Sequence, residues 1–169
     1  MARLTTKLLF ATALLSVTAC ATKRTEPLPP AASAQPEQPQ VAPQGDGIIP
    51  GSRADFQRSV ASDTIHFAYN QYDIDAESQS ILDSQIGWLN KFPNVTVTVE
   101  GHADERGTRE YNLALGDRRA NSAKNYLVTR GIAAARITTI SYGKERPIAL
   151  GSDEASWAQN RRAVTVVLN

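Results

Sequence analysis

The chain has 169 residues, 41% hydrophobic and 21% charged, enough for one ordinary globular core with an unfolded attachment and too few for several domains. Its 18 Lys and Arg stand against 17 Asp and Glu, a formal net charge of +1, so no single-sign field marks it as a nucleic-acid binder. Cys20 is the only cysteine, which excludes an intrachain disulfide and leaves the fold to stand on its core alone.

Arg3 and Lys7 precede an apolar run from Leu8 to Val17 and then small residues ending at Cys20, the layout of a secretory leader over residues 1–19. The run holds about ten apolar residues, short of the roughly 20 that span a bilayer. Residues 20–52 are dominated by Pro, Ala, Gln and Glu and hold seven of the nine prolines, the composition of a disordered, solvated linker. About thirty such residues reach roughly 90 Å in polyproline form and roughly 30 Å as a flexible coil.

Residues 53–169 alternate strand and helix signals. Ile65 to Tyr69 reads as a first strand. Asp75 offers an N-cap, and Ile81, Leu82, Ile86 and Leu89 recur at helical spacing until Pro93 forbids continuation. Val95, Val97 and Val99 alternate with polar residues as a half-buried strand does, and Gly101 is expected to close it. A longer helix is expected from about Arg109 to Arg130, with Leu115, Ala123 and Leu127 near one face and Gly131 as its C-cap. Ile137 to Tyr142 reads as a third strand, Asp153 to Gln159 as a short helix or loop, and Ala163 to Leu168 as a last strand. The expected class is α+β, in the order β-α-β-α-β-(α)-β, with helices packed on one mixed sheet that holds at least one parallel pair. The sequence leaves strand order open, and the final strand is free to run antiparallel.

The segment Gly101-His102-Ala103-Asp104-Glu105-Arg106-Gly107-Thr108 leaves a strand and enters a helix, a place where ligands gather. Arg119 lies fifteen residues beyond Asp104 and one helical turn after Leu115. The stretch GHADERGTREYNLALGDRRANSAKNYL, followed by SYGKERP and NRRAVTVVL, resembles the OmpA-like peptidoglycan-binding domain family, and within it the lipoprotein branch, the Pal-type or peptidoglycan-associated lipoproteins. The likeness covers roughly residues 60–169 and includes the look of Phe67 to Ile74.

That resemblance implies a ligand: the peptide stem of the cell wall, chiefly its meso-diaminopimelate side chain, which ends in an ammonium and a carboxylate. A zwitterionic end is matched by one fixed anion and one fixed planar cation. Carried over by motif, Asp104 accepts the ammonium, Arg119 grips the carboxylate in a bidentate fork, and Tyr69, Asn70, Ala103 and Leu115 border the ligand. Close relatives carry aspartate where this chain has Asn70, so a charged contact there becomes an amide hydrogen bond. Asn112, Asn160, Arg161 and Arg162 belong to the same signature and are expected to support site and fold. Val17 to Cys20 likewise resembles a lipobox, which implies lipid on Cys20, and Ala21 in place of a retention aspartate implies the outer membrane as destination. Further implied partners are TolB and the other Tol proteins. No cofactor is expected.

Plainer readings stand beside these. Asp104 is also placed to favour a helix N-terminus electrostatically, and Arg119 beside Arg118 is also a common solvated pair. His102, Asp104 and Glu105 suggest a metal-dependent hydrolase, but no zinc-ligand spacing and no GxSxG nucleophile motif accompany them. A flagellar stator subunit shares the wall-binding domain but requires a true transmembrane helix, which the sequence does not offer. Trp88 and Trp157 read as packing residues rather than sugar platforms.

Overall fold

The computed structural model describes residues 47–168. The expectations for the secretory leader, for lipid on Cys20 and for most of the linker lie outside the described residues.

Each helix begins where a short polar side chain satisfies an orphan backbone N–H. Ser52 accepts from the Asp55 amide at the start of α1 (Arg53–Ser59), and Asp75 from the Ser78 amide at the start of α2 (Ala76–Lys91). Thr108 caps α3 (Arg109–Thr129) and Asp153 caps α4 (Glu154–Asn160) in the same way. At the far end of α3, Gly131 takes a φ of 100°, a left-handed conformation that suits glycine.

The strands are β1 (Thr64–His66), β2 (Val97–His102), β3 (Ile137–Gly143) and β4 (Arg162–Val167), with a 3-10 turn at Ala134–Arg136 ahead of β3. They form one mixed sheet in the order β1-β4-β2-β3, in which β2 and β3 are parallel and β4 runs antiparallel to both β1 and β2. The α+β class and the parallel pair agree with the sequence reading, and the antiparallel course of β4 supplies the direction that the sequence left open. Helices cover one face: Val97 and Val99 join Leu82, Leu89, Ala120, Ala123 and Leu127 in the core. Full burial of each such leucine contributes roughly 1.5–3 kcal/mol. Trp88 is buried there with its ring edge against Phe56, and its indole N–H donates to Asp55.

Three local readings shift. The first strand stops at His66, because the chain turns at Tyr69–Asn70, where the Gln71 amide donates to the Ala68 carbonyl. Val95 stays outside β2, held in the turn after Pro93 by a bond from its amide to the Phe92 carbonyl. Gly101 does not close β2 but lies within it, because it is the crossing point of strand and helix. A Cβ on Gly101 would come within 1.8 Å of the Gly116 carbonyl oxygen. Two facing glycines therefore let α3 press onto β2, and this contact positions the site.

Candidate functional site

The site lies beyond the carboxyl ends of the parallel pair β2 and β3, the usual place for a ligand on such a sheet. A small cavity of about 120 Å³ is bordered by Tyr69, Asn70, Asp104, Arg106, Gly107, Tyr111, Asn112 and Leu115. Four of the six residues expected to touch the ligand therefore meet around one hollow: Tyr69 and Asn70 from the turn after β1, Asp104 from the loop after β2, and Leu115 from α3. Asn70 holds a left-handed φ of 57°, which asparagine tolerates better than most side chains, and its amide oxygen accepts from the Tyr111 hydroxyl.

Arg119 and Ala103 do not border that cavity. Ala103 lines a second hollow of about 90 Å³ beside Glu105 and Lys144, and its amide donates to the Gly143 carbonyl. Arg119 is wholly buried behind the loop, 0% exposed. Its Nε donates to the Gln71 carbonyl at 2.9 Å, Nη1 to the His102 carbonyl at 2.8 Å and Nη2 to the Ala68 carbonyl at 3.3 Å. Three of five N–H groups are thus used on backbone, and two remain for another acceptor. Burial pulls this guanidinium down to about 10, partly offset by the nearby Asp104 charge, so it is a cation at neutral pH. The crossing at Gly101 and Gly116 brings it beneath the loop: the sequence separation of loop and helix is bridged by close backbone approach.

Asp104 is 5% exposed and already heavily partnered. Its Oδ1 accepts from the Arg106 amide and from Arg106 Nε, each at 3.1 Å, and its Oδ2 accepts from Arg106 Nη2 at 2.6 Å. Arg161 Nη1 stands 3.6 Å from the same Oδ2 without forming a hydrogen bond. Burial pushes the Asp104 carboxyl up, but the hydrogen bonds and charge of Arg106, with the charge of Arg161, outweigh it and hold the group below the usual carboxylate value. Around this one buried anion stand three guanidinium groups.

Arg106 is the site residue that the sequence reading passed over. Its guanidinium lies between two aromatic rings, 4.2 Å from the Tyr69 centroid and 4.0 Å from that of Trp157. Trp157 is therefore a half-buried wall for Arg106, and its indole N–H donates to Glu105. The signal was present in Asp104 and Arg106 two residues apart, the spacing at which an Asp side chain bonds the backbone ahead of it. The signature residues behind the site hold its loops: Asn112 donates to the Arg106 carbonyl, Arg161 Nε to the Phe67 carbonyl, and Arg162 to the Arg146 carbonyl. Asn160 clasps Ile148 and Ala149 through their backbone.

His102 is buried, and burial followed by the charges of Arg162 and Arg146 lowers it to about 4, leaving a neutral ring at pH 7. Glu100 is 3.7 Å from its Nε2, too distant to hold a proton there. Among the described residues, no group of three or more His, Cys, Asp or Glu side chains is arranged to hold a metal ion.

The sequence profile of the OmpA family matches residues 66–161, more than half of the chain and all of the site. The chain belongs to the OmpA family. It is 46% identical over 156 residues to the peptidoglycan-associated lipoprotein of Mesorhizobium japonicum, covering 92% of this chain and 87% of that relative. It is 56% identical over 118 residues to the protein of the same name from Rhizobium meliloti, covering 70% of this chain and 66% of the relative, just under two thirds of its length. The crystal structure of the peptidoglycan-associated lipoprotein from Burkholderia pseudomallei superposes with a TM-score of 0.62 at 42% identity, over 64% of this chain and 92% of that one. The resemblance read from the GHADERG, SYGKERP and NRRAVTV segments and the mixed-sheet fold are both supported by these relatives.

Proposed function

We propose that this chain is a non-enzymatic outer-membrane lipoprotein that binds peptidoglycan non-covalently and tethers the outer membrane to the wall. In this reading residues 1–19 are a leader, Cys20 carries the lipid, residues 20–52 form the spacer, and residues 53–169 hold the wall at the periplasmic face. TolB and the other Tol proteins are its expected partners in envelope integrity and division.

The observation that carries the reading is the buried Arg119 guanidinium, which donates only to backbone carbonyls and lies close behind a cavity containing Asp104. A stem peptide ending in meso-diaminopimelate supplies both complements. Its carboxylate takes the spare Arg119 N–H groups, and its ammonium takes Asp104. Tyr69, Asn70 and Leu115 then enclose the methylene chain. Each charge-assisted bond contributes roughly 1.5–3 kcal/mol net, so two or three support binding near the micromolar range, about −8 kcal/mol, after ordering costs.

Sedimentation of the full-length chain with purified peptidoglycan tests this. The expected outcome is co-sedimentation without release of soluble fragments, and preference for a diaminopimelate peptide over its lysine counterpart in a direct titration. Release of fragments would identify a hydrolase instead, and failure to sediment would refute wall binding.

A further inference from the structure

The crowding of Asp104 has a physical cost for any ligand that approaches with an ammonium group. A carboxylate offers about four lone-pair positions. Arg106 fills both on Oδ1 and one on Oδ2, and the remaining side of Oδ2 faces Arg161 at 3.6 Å. An incoming cation finds neither an open acceptor nor a net negative field.

The three guanidiniums are not held equally. Arg119 is fully enclosed and bonded to three carbonyls, and the Arg161 side chain is 7% exposed. The Arg106 side chain is 29% exposed, borders the cavity, and lies between the open faces of Tyr69 and Trp157. A second anion stands outside: Glu154, mostly solvent-exposed, accepts from Arg161 Nη2 through Oε1 at 2.8 Å, and its Oε2 is 3.7 Å from Arg106 Nη1. Each ring attracts a planar cation within about 6 Å of its centroid, so Arg106 can trade its side-chain bonds to Asp104 for a closer pair with Glu154 while it stays stacked.

We propose that Arg106 is a built-in stand-in for the ammonium of the ligand. In the free protein it occupies Asp104; on binding, the ligand ammonium replaces it and Arg106 slides outward between Tyr69 and Trp157 toward Glu154. The exchange makes Arg106 a specificity-determining residue. A ligand with a carboxylate alone cannot displace it, and one with both charges can. This inference rests on the wall-binding reading.

The test is titration of full-length wild type and Arg106→Gln with two probes: a stem peptide ending in meso-diaminopimelate, and the same peptide with its side-chain ammonium acetylated. Removing the competing cation is expected to tighten the free-ammonium peptide about tenfold, or about 1.4 kcal/mol, while leaving the acetylated peptide within about threefold. Arg106→Lys, which keeps charge but loses the fork, is expected to fall between wild type and Arg106→Gln. If wild type binds and Arg106→Gln binds the free-ammonium peptide equally or more weakly, the exchange is refuted and wall binding stands. An equal gain for both peptides also refutes it, because simple opening of the cavity would then be the cause. No binding by either protein overturns the wall-binding reading and this inference together. Should Arg106→Gln fail to fold, the Arg106 Nε–H resonance of wild type decides: a shift on adding the free-ammonium peptide only is expected, and no shift overturns the exchange.

Discussion

At each end of the sheet an arginine donates to backbone carbonyls. At one end Arg136 donates to Val95, Leu89 and Phe92, fastening the last turn of α2 to the chain that enters β2. At the other, Arg119 donates to Ala68, Gln71 and His102, fastening the turn after β1 to the end of β2. The two forks do the same local work, so a guanidinium bonded to carbonyls does not by itself make a site. What differs is the company. Beside Arg119 stand a buried carboxylate, two further guanidiniums and a cavity, while Arg136 is half-buried at the end of a helix.

The harshest way to break this comparison is to remove the enclosed arginine. Arg119→Ala removes three hydrogen bonds to backbone carbonyls and leaves a void, and should cost about 4 kcal/mol of stability in denaturant unfolding together with the loss of diaminopimelate binding. Gly101→Ala attacks the crossing that brings Arg119 beneath the loop. With a Cβ forced onto the Gly116 carbonyl, a loss of about 3 kcal/mol or failure to fold is expected, seen as a lowered melting temperature.

Asp104→Asn sharpens the comparison on the ligand side, with binding expected to weaken by about 2 kcal/mol in a calorimetric titration. It also has a signature in acid. The folded-state carboxyl lies below its ordinary value of 3.8, so the stability it provides is present above that pH and is lost as pH falls through the folded value. The gap in stability between wild type and Asp104→Asn should therefore narrow below about pH 4, measured by unfolding at stepped pH. The mildest change is Arg136→Ala, expected to cost about 1–2 kcal/mol of stability while sedimentation with the wall stays within twofold of wild type. A large loss of wall binding there would erase the distinction between the two ends.

Much of this was legible in advance where the deciding partners are sequence neighbours. Asp75 caps α2 three residues from its bond partner, Pro93 stops it, and Gly131 ends α3. The α1 helix was not read, although Ser52 caps it in the same manner, because its seven residues carry only one buried side chain, Phe56, and so show no periodicity. The site was legible as a set of residues and less so as an arrangement. A motif names Asp104 and Arg119 but does not say that Arg106 covers the first or that backbone encloses the second.

The sequence by itself determined the α+β class, the extents of the two long helices and the family, because caps, alternation and motif spacing act over a few residues. Tertiary structure alone decided the strand order β1-β4-β2-β3, the meeting of Gly101 with Gly116, and the gathering of three guanidiniums around Asp104. Those outcomes depend on contacts between segments far apart in the chain, such as Arg119 with Gln71, forty-eight residues away, and Arg161 with Phe67, ninety-four away. Such contacts form only when the packed core has fixed where each segment lies, and no local pattern encodes them.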